Sequence, residues 1–375
     1  MQLPKLFYFI GFFLIFFSQI LCAEESTFIF SNTNLINFVK PRTQSLTALD
    51  YNRLRADYLY DSEYFKFKAM FDWENYYGAG LSLLSFDDST IDLPFSPYLK
   101  LYQNNNLLGR LYLYRINTEF KDKKQSLTLG LQRIFVGVGR LWTPLDTFNP
   151  SFALSVEPDE RLGVFGGNYL YYLEDLSYLQ IIGTAAKNFN LDKSGFLYKF
   201  NFHKIDTGIT YVGARNFNMV GVELESNLFE TGVEVRSELA YYCDYQFNKK
   251  YFKGILGADY AFWDNYTITM EYFYNGLGAN NPANYNPSII SSLNWNLASN
   301  YLGLILTDQY NPLLSLSFSS IYNLVDSSFF SGLAFNYSIN DNAILTSGVQ
   351  LFWGSSGSEF GTYPTYLYAR LANYF

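Results

Sequence analysis

Charged side chains occur at alternate positions in three stretches of the first third of the sequence. The positions are Arg53, Arg55, Asp57, Lys66, Lys68, Asp72, Glu74, Arg115 and Glu119. Such a surface carries both signs of charge, so it can attract, orient or exclude small polar solutes. Residues two apart point the same way in an extended strand, and these charges are therefore predicted to share one face of a sheet.

Catalytic and metal-binding chemistry has little support in the sequence. His203 is the single histidine, which excludes a multi-histidine metal site. A Ser-His or Cys-His unit would depend on His203, and no nucleophile or pair of carboxylates is evident beside it. We therefore predict a protein that is not an enzyme and uses no cofactor or metal. A hydrolase centred on His203 is the weaker alternative.

The composition argues against an ordinary soluble protein. Aromatic residues make up 20% of the 375 residues and charged residues only 16%, whereas soluble domains average about a quarter charged. A mean hydropathy of -0.04 means that polar and apolar residues are finely interleaved. The net charge of -8 makes nucleic acid an unsuitable partner, because phosphate binding needs clustered Lys and Arg.

The first residues have the pattern of an export signal. A short basic start is followed by an apolar run at residues 6–17 and then by small residues up to Ala23. This pattern predicts cleavage after Ala23, and the apolar run is short for an uncleaved membrane anchor. Residues 1–23 are thus predicted to be a signal peptide and residues 24–375 a single domain. Cys243 would be the one cysteine left, so no internal disulfide is expected.

From about residue 50 to the end, apolar residues repeatedly alternate with polar or charged residues. In residues 64–74, one face would carry Phe65, Phe71 and Trp73, and the other Lys66 and Glu74. A period of two indicates β-strands with one apolar and one polar face. A soluble sandwich would bury the apolar face. A membrane barrel would turn the apolar face to lipid and enclose the polar one.

Three features favour the membrane barrel. The export signal takes the chain out of the cytoplasm. Aromatic residues crowd predicted strand ends at 261–267 and 350–356, where interfacial girdles lie in barrels. The final segment, ending in Phe375, resembles the C-terminal signature of Gram-negative outer-membrane barrels, which the barrel assembly machinery reads. We predict an all-β, antiparallel transmembrane barrel in the bacterial outer membrane, surrounded by outer-membrane lipid.

The chain length predicts the number of strands. Strands of about 9–11 residues with their turns give seventeen or eighteen repeats over the mature chain. Tracing back from Phe375, an even number requires an extra strand within residues 27–39, so we predict eighteen strands, with sixteen as the alternative. Short turns would lie on the periplasmic side, and the long connections at 75–105, 140–163, 276–298 and 354–364 on the extracellular side.

One of these connections begins with a strand that breaks abruptly. Gly137 and Gly139 permit a bend or a close backbone approach, and Pro144 and Pro150 cannot donate to a β-ladder. We predict that residues 142–161 fold inward as a constriction, with a loop over the rim as the alternative. Its carboxylates would then lie across from Arg133, Arg140 and the basic residues of the early strands. The charges assigned to this region are Arg133, Arg140, Asp146, Glu157, Asp159, Glu160 and Arg161.

Residues 129–150 resemble a motif of porin-like Gram-negative outer-membrane β-barrels, a largely uncharacterised group. The group's motif reads approximately Gly-Arg-Gln-x-Ile-x-Trp-Gly-x-Gly, followed by Trp-x-Pro-x-Asp-x-Phe-Asn-Pro. The matching residues are Gly130, Gln132, Ile134, Gly137, Gly139, Trp142, Pro144, Asp146, Phe148, Asn149 and Pro150. This chain has Leu131 where the group usually has arginine, and Val136 where it often has tryptophan. The resemblance implies a porin-like barrel.

The charged inner face predicts what such a barrel does. Unpaired charges are costly in a dry interior, so Arg53, Arg55, Lys66, Lys68 and Arg115 indicate a hydrated lumen. We predict a channel for passive diffusion of small hydrophilic solutes. One alternative is an interior plugged by paired charges. Another is a non-conducting barrel whose long loops serve surface adhesion or recognition.

Overall fold

The structure is a computed structural model of the chain. It describes residues 26–42, 45–83, 93–150, 152–173, 177–263 and 265–375. The predicted signal peptide at residues 1–23 lies outside these residues, so its cleavage stays a prediction. None of the helices in the described ranges is long and apolar enough to cross a membrane.

The described residues form nineteen strands. In chain order these are β1 (Ser26–Lys40), β2 (Thr47–Asp61), β3 (Phe65–Tyr77), β4 (Tyr98–Gln103), β5 (Leu107–Lys121), β6 (Gln125–Gln132), β7 (Val164–Tyr172), β8 (Tyr178–Ala185), β9 (Leu191–Phe202), β10 (Ile205–Ala214), β11 (Phe217–Asn227), β12 (Val233–Asp244), β13 (Lys249–Phe262), β14 (Tyr266–Asn275), β15 (Asn300–Asn311), β16 (Leu314–Asn323), β17 (Phe329–Asn340), β18 (Ala343–Trp353) and β19 (Thr365–Tyr374). Short 3-10 helices occupy Ala79–Leu83, Lys187–Phe189, Pro282–Asn284, Pro287–Ile289 and Phe360–Thr362.

Eighteen of these strands close into an antiparallel barrel. β1 pairs with β2 on one edge and with β19 on the other, which closes the ring. β4 is the strand outside the ring, since it shares one edge of β5 with β6 and pairs only with residues 108–112 of β5. The structure confirms the prediction of eighteen strands, and β1 is the extra strand expected within residues 27–39.

The side chains of each strand alternate between the lumen and the outer surface. On β2 and β3, Leu54, Phe71 and Trp73 are exposed, whereas Arg53 and Glu74 are buried. The apolar residues therefore face outward and the charged residues inward, which is the arrangement of a transmembrane barrel and the reverse of a soluble one. This confirms the predicted fold class.

The connections divide the barrel into two unlike ends. One end has tight turns, such as those at residues 203–204 and 341–342. The other end has the long connections at residues 78–106, 133–163, 276–299 and 354–364. The connection at residues 133–163 is called the inward segment below, because its partners lie on the inner wall.

Candidate functional site

The inward segment crosses the interior of the barrel. Trp142 packs with Phe273 of β14 and Tyr301 of β15, and Phe148 packs in one cluster with residues of β8 and β9. On the opposite wall, Glu157 forms ion pairs with Arg53 of β2 and Arg370 of β19. These strands lie on different sides of the ring, and Arg53 lies near the middle of β2, so the segment crosses the lumen below the rim.

Two buried wall carboxylates hold the backbone of the inward segment. Glu238 of β12 accepts hydrogen bonds from the backbone N–H groups of Val138, Gly139 and Leu145 at 2.6, 2.8 and 3.0 Å. Glu271 of β14 accepts from those of Arg140, Leu141 and Trp142 at 3.0, 3.2 and 2.8 Å. Each of these side chains supplies the acceptors for three N–H groups of the segment, which would otherwise be buried without a partner, so Glu238 and Glu271 fix where the segment lies.

Glycine at position 137 is explained by this contact. Gly137 has a φ of +99°, and a Cβ atom there would lie 2.5 Å from Oε1 of Glu238. A larger residue would therefore be strained in its backbone and would collide with the carboxylate. The close approach predicted for the two glycines is thus made by a wall carboxylate at Gly137. At Gly139 it is made by the backbone carbonyl of Trp142.

Trp142 anchors the segment through its aromatic ring. The ring lies nearly parallel to those of Phe273 and Trp295, with centroid distances of 5.1 and 6.1 Å. Its Nε1 donates a hydrogen bond to Oδ1 of Asn296 at 3.0 Å. Trp295 and Asn296 belong to the connection at residues 276–299, so a second long loop packs onto the inward segment.

Asp146 was expected to line the pore, but the structure places it in the interior of the inward segment. Its side chain is buried, with the residue 2% exposed, and its Oδ1 accepts from the backbone N–H groups of Phe148 and Asn149 at 3.0 and 2.8 Å. Asn149 in turn accepts from the backbone N–H of Ile134 at 2.7 Å. The Asp-x-Phe-Asn residues therefore build the turn at which the chain reverses. Burial raises the pKa of Asp146 to about 7.

The carboxylates near the end of the inward segment contact the basic wall directly. Glu160 lies 2.8 Å from Nη1 of Arg55 and 3.2 Å from Nη2 of Arg53, and Arg53 is 3.0 Å from Glu157. Burial opposes the charge of Glu160, but the hydrogen bond from Arg55 and the nearby guanidinium charges hold its pKa below the usual range. The carboxylates of the segment and the basic residues of β2 are thus close to one another, as predicted. They form direct ion pairs and do not face each other across an open lumen.

Arg140 faces a different wall. Its guanidinium lies 3.0 Å from Glu234, 3.4 Å from Asp259 and 3.8 Å from Glu225. These carboxylates belong to β11–β13, so the predicted pairing of Arg140 with carboxylates of the inward segment is not what the structure shows. The segment thus places a cation on an acidic wall and anions on a basic wall.

The other predicted residues lie around this arrangement. Arg115 donates to the backbone carbonyl of Arg161, and Arg161 donates to the carbonyl of Asn149 at 3.1 Å. Arg133 and Asp159 are exposed, and neither forms an ion pair within the described part of the chain. Lys66 and Lys68 lie toward the turn end of β3, where Lys66 is 3.2 Å from Asp61 and Lys68 is 4.0 Å from Asp57.

Sequence reasoning missed the anchoring role of Glu238 and Glu271. Alternation placed both on strand faces, but it did not distinguish them from the other charges there. A signal was present for Glu238, because its lumen-facing neighbours two and four residues later are Ala240 and Tyr242. A carboxylate among small and aromatic side chains has few wall partners, so it is a candidate acceptor for another backbone.

The charges that remain exposed mark the open part of the lumen. The side chain of Arg140 is 46% exposed and that of its partner Glu234 37%. Both point into a closed barrel, so the space beside the inward segment is accessible to water. The arrangement combines a fixed segment with two walls of unlike charge, and it can discriminate solutes by size and charge.

Comparison with known proteins shows the fold and no family. No protein-family model matches the sequence, and no curated protein sequence matches it significantly. Among solved structures, OccAB4 of Acinetobacter baumannii is similar over 94% of this chain and 99% of its own, with 13% identity and a TM-score of 0.61. OccK5 (OpdH) of Pseudomonas aeruginosa covers 94% and 98%, with 9% identity and a TM-score of 0.59. A BenF-like porin from Pseudomonas fluorescens covers 94% and 99%, with 8% identity and a TM-score of 0.58. The chain thus has the fold of these outer-membrane barrels over nearly its whole length.

Proposed function

We propose that this protein is a channel of the Gram-negative outer membrane through which small hydrophilic solutes diffuse passively. The observation that carries the proposal is the exposed ion pair between Arg140 and Glu234, 3.0 Å apart, inside the closed barrel. Charged groups remain solvated only where water reaches them, so a hydrated path passes beside the inward segment. The fold shared with a BenF-like porin supports the same function.

The inward segment is the constriction of this channel. It is held on both sides of the lumen, by Glu238 and Glu271 on one wall and by Arg53 and Arg55 on the other. A segment fixed at both walls narrows the passage without blocking it. The partners of the protein are then small polar solutes in the lumen and outer-membrane lipid around it. The C-terminal Phe375 serves as the signal for the barrel assembly machinery.

Single-channel recording tests the proposal. The purified, refolded protein is added to a planar lipid bilayer, and we expect discrete current steps proportional to voltage. The barrel's folding is checked independently by its heat-modifiable migration in gels. Ser237→Leu is the matched control, because Ser237 faces outward between Arg236 and Glu238 and its replacement should leave the conductance unchanged. A folded barrel that produces no current would contradict the channel and favour an adhesive or plugged barrel.

A further inference from the structure

A small cavity lies between the inward segment, the wall formed by β12–β14 and the connection at residues 276–299. The residues that line it include Trp142, Asp146, Tyr242, Lys253, Trp295 and Asn296. Its volume is about 30 Å³, which is the space taken by one water molecule or by one ion of similar size. A sugar or an amino acid is too large for this cavity.

Lys253 brings a buried positive charge to the cavity. The residue is 3% exposed, and its Nζ donates to the backbone carbonyl of Leu293 at 2.9 Å and to Oδ1 of Asn294 at 3.2 Å. Nζ also lies 5.5 Å from the centre of the Tyr242 ring, a contact that favours a cation. An ammonium group has three donors, so one donor remains without an acceptor in the described part of the chain.

No anionic side chain compensates the charge of Lys253. Among the described residues, no carboxylate lies within 4.0 Å of its Nζ, and its two acceptors are neutral oxygens. Asp146 lines the same cavity, but its Oδ1 accepts from the N–H groups of its own turn. A buried cation without a counter-charge is unfavourable, because the interior cannot solvate it as water does. A negative charge in the cavity would therefore stabilise the folded protein.

Asn296 supplies a second donor. The residue is 1% exposed, and its Oδ1 accepts from Nε1 of Trp142 at 3.0 Å. Because an indole N–H can only donate, this bond fixes which way the amide is turned. Nδ2 of Asn296 is buried and has no acceptor within the ranges that the structure describes. A water molecule would accept from Asn296 but would leave the charge of Lys253 uncompensated.

Asp146 becomes a third donor when it is protonated. Its Oδ2 is buried and has no hydrogen-bond partner among the described residues. Burial raises the pKa of Asp146 to about 7, so at pH 6 most molecules carry a proton on this side chain. Because Oδ1 already accepts two N–H groups, the proton belongs on Oδ2, which can then donate to an ion in the cavity.

We propose that this cavity binds one small monovalent anion of halide size, held by Nζ of Lys253 and Nδ2 of Asn296. The anion supplies the negative charge that Lys253 lacks and the acceptor that Asn296 lacks. Since Lys253 belongs to β13 and Asn296 to the connection at residues 276–299, the ion joins this connection to the wall. The bound anion is a part of the folded protein and not a transported solute, so the proposal does not depend on the channel function.

Urea unfolding of the protein in detergent at pH 6 tests the site, with chloride replaced by the larger anion gluconate at constant ionic strength. We expect the wild-type unfolding midpoint to rise with chloride concentration, because a ligand that binds the folded state stabilises it. Lys253→Met removes the cation, and we expect its affinity for chloride to fall by about tenfold or more. Lys250→Met is the matched control, since Lys250 is exposed on the same strand and should leave the chloride response unchanged.

Asn296→Asp provides a variant with the converse expectation. It keeps the acceptor for Nε1 of Trp142 and adds a carboxylate to the cavity. Because this carboxylate supplies the negative charge itself, we expect the midpoint in gluconate to rise above that of the wild type and to respond little to chloride. A gain in stability also distinguishes a replaced anion from a variant that folds poorly.

Two results would overturn the proposal. One is an equal response to chloride in Lys253→Met and Lys250→Met, since the ion would then bind elsewhere. The other comes from crystals of the wild type soaked in bromide, a measurement that needs no variant. We expect an anomalous density peak between Nζ of Lys253 and Nδ2 of Asn296, and a well-ordered cavity without this peak would mean that it holds only water.

Discussion

Oε1 of Glu238 lies 2.6 Å from the backbone nitrogen of Val138, which precedes it by 100 residues in the chain. The β12 wall therefore holds the inward segment through its main-chain N–H groups. The N–H groups of Val138, Gly139 and Leu145 can donate to Glu238 whatever their side chains are, provided that position 137 is glycine. The width of the passage beside the segment then depends on a few wall residues.

Replacing Glu238 by leucine should loosen the inward segment. Three buried N–H groups lose their acceptor, and we expect the barrel to lose about 3 kcal/mol of stability. The open-channel current should also become noisier. Glu234→Gln is the matched control, because Glu234 lies on the same strand and accepts from Arg140 but from no backbone N–H of the segment. Equal current noise in both variants would show that Glu238 is not an anchor. Urea titration and single-channel recording give the two measurements.

Replacing Trp142 by alanine should widen the passage. The variant loses the ring packed between Phe273 and Trp295 and the hydrogen bond to Asn296. Such losses from a core cost about 3–5 kcal/mol. We expect the unfolding midpoint in urea to fall and the conductance to rise by about twofold. Trp263→Ala, at an exposed turn, should change neither quantity.

Neutralising Glu160 should shift the ion selectivity of the channel toward anions. Glu160 compensates Arg53 and Arg55 at 3.2 and 2.8 Å, so Glu160→Gln leaves excess positive charge on this wall. We expect the ratio of anion to cation permeability to rise by about threefold. Asp159→Asn removes the same formal charge from an exposed neighbour and should change the ratio less. Reversal potentials in a KCl gradient measure both, and identical shifts would mean that the ion pairs are unimportant.

Replacing Arg140 by alanine should have the opposite effect. Glu225 and Glu234 would then lose the cation that lies within 3.8 Å of each, and Asp259 would keep Arg236 as its partner. We expect cation preference to increase by about threefold, and the effect should diminish in molar salt because exposed charges are screened. Arg42→Ala, at an exposed position outside the lumen strands, controls for the loss of one positive charge. An unchanged reversal potential at low salt would contradict this account.

Asp146 should make stability depend on pH. Burial raises its pKa from 3.8 to about 7, so the folded protein holds the proton more tightly than the unfolded chain. The stabilisation is fully present below about pH 4 and is lost as the pH rises to about 7. Asp146→Asn keeps the acceptor for Phe148 and Asn149 without the charge, and it should be more stable than the wild type at pH 8 by roughly 4 kcal/mol. Urea midpoints at pH 5 and 8 measure the effect; parallel changes in both proteins would contradict it.

The sequence predicts the barrel well because alternation is a local property. Phe71 and Asp72 are assigned to opposite faces by their types alone, and β1 follows from the need for an even number of strands. The contacts of the inward segment are different, because Arg140 and its partner Glu234 are far apart in sequence. Which wall each charge meets depends on the path of the chain through the lumen. Asp146 shows the same difficulty, since a carboxylate in a polar-looking loop gives no sign that it will be buried in a turn.

The ion pairs of Glu157 have a consequence for the order of assembly. Glu157 contacts Arg53 on β2 and Arg370 on β19, strands that lie on either side of β1. The second contact cannot form until the last strand has arrived and the ring has closed. A segment from the first half of the chain therefore finishes docking only after the C-terminus is in place. Glu157 acts as a latch across the seam of the barrel, and a fully docked segment is a sign that closure is complete.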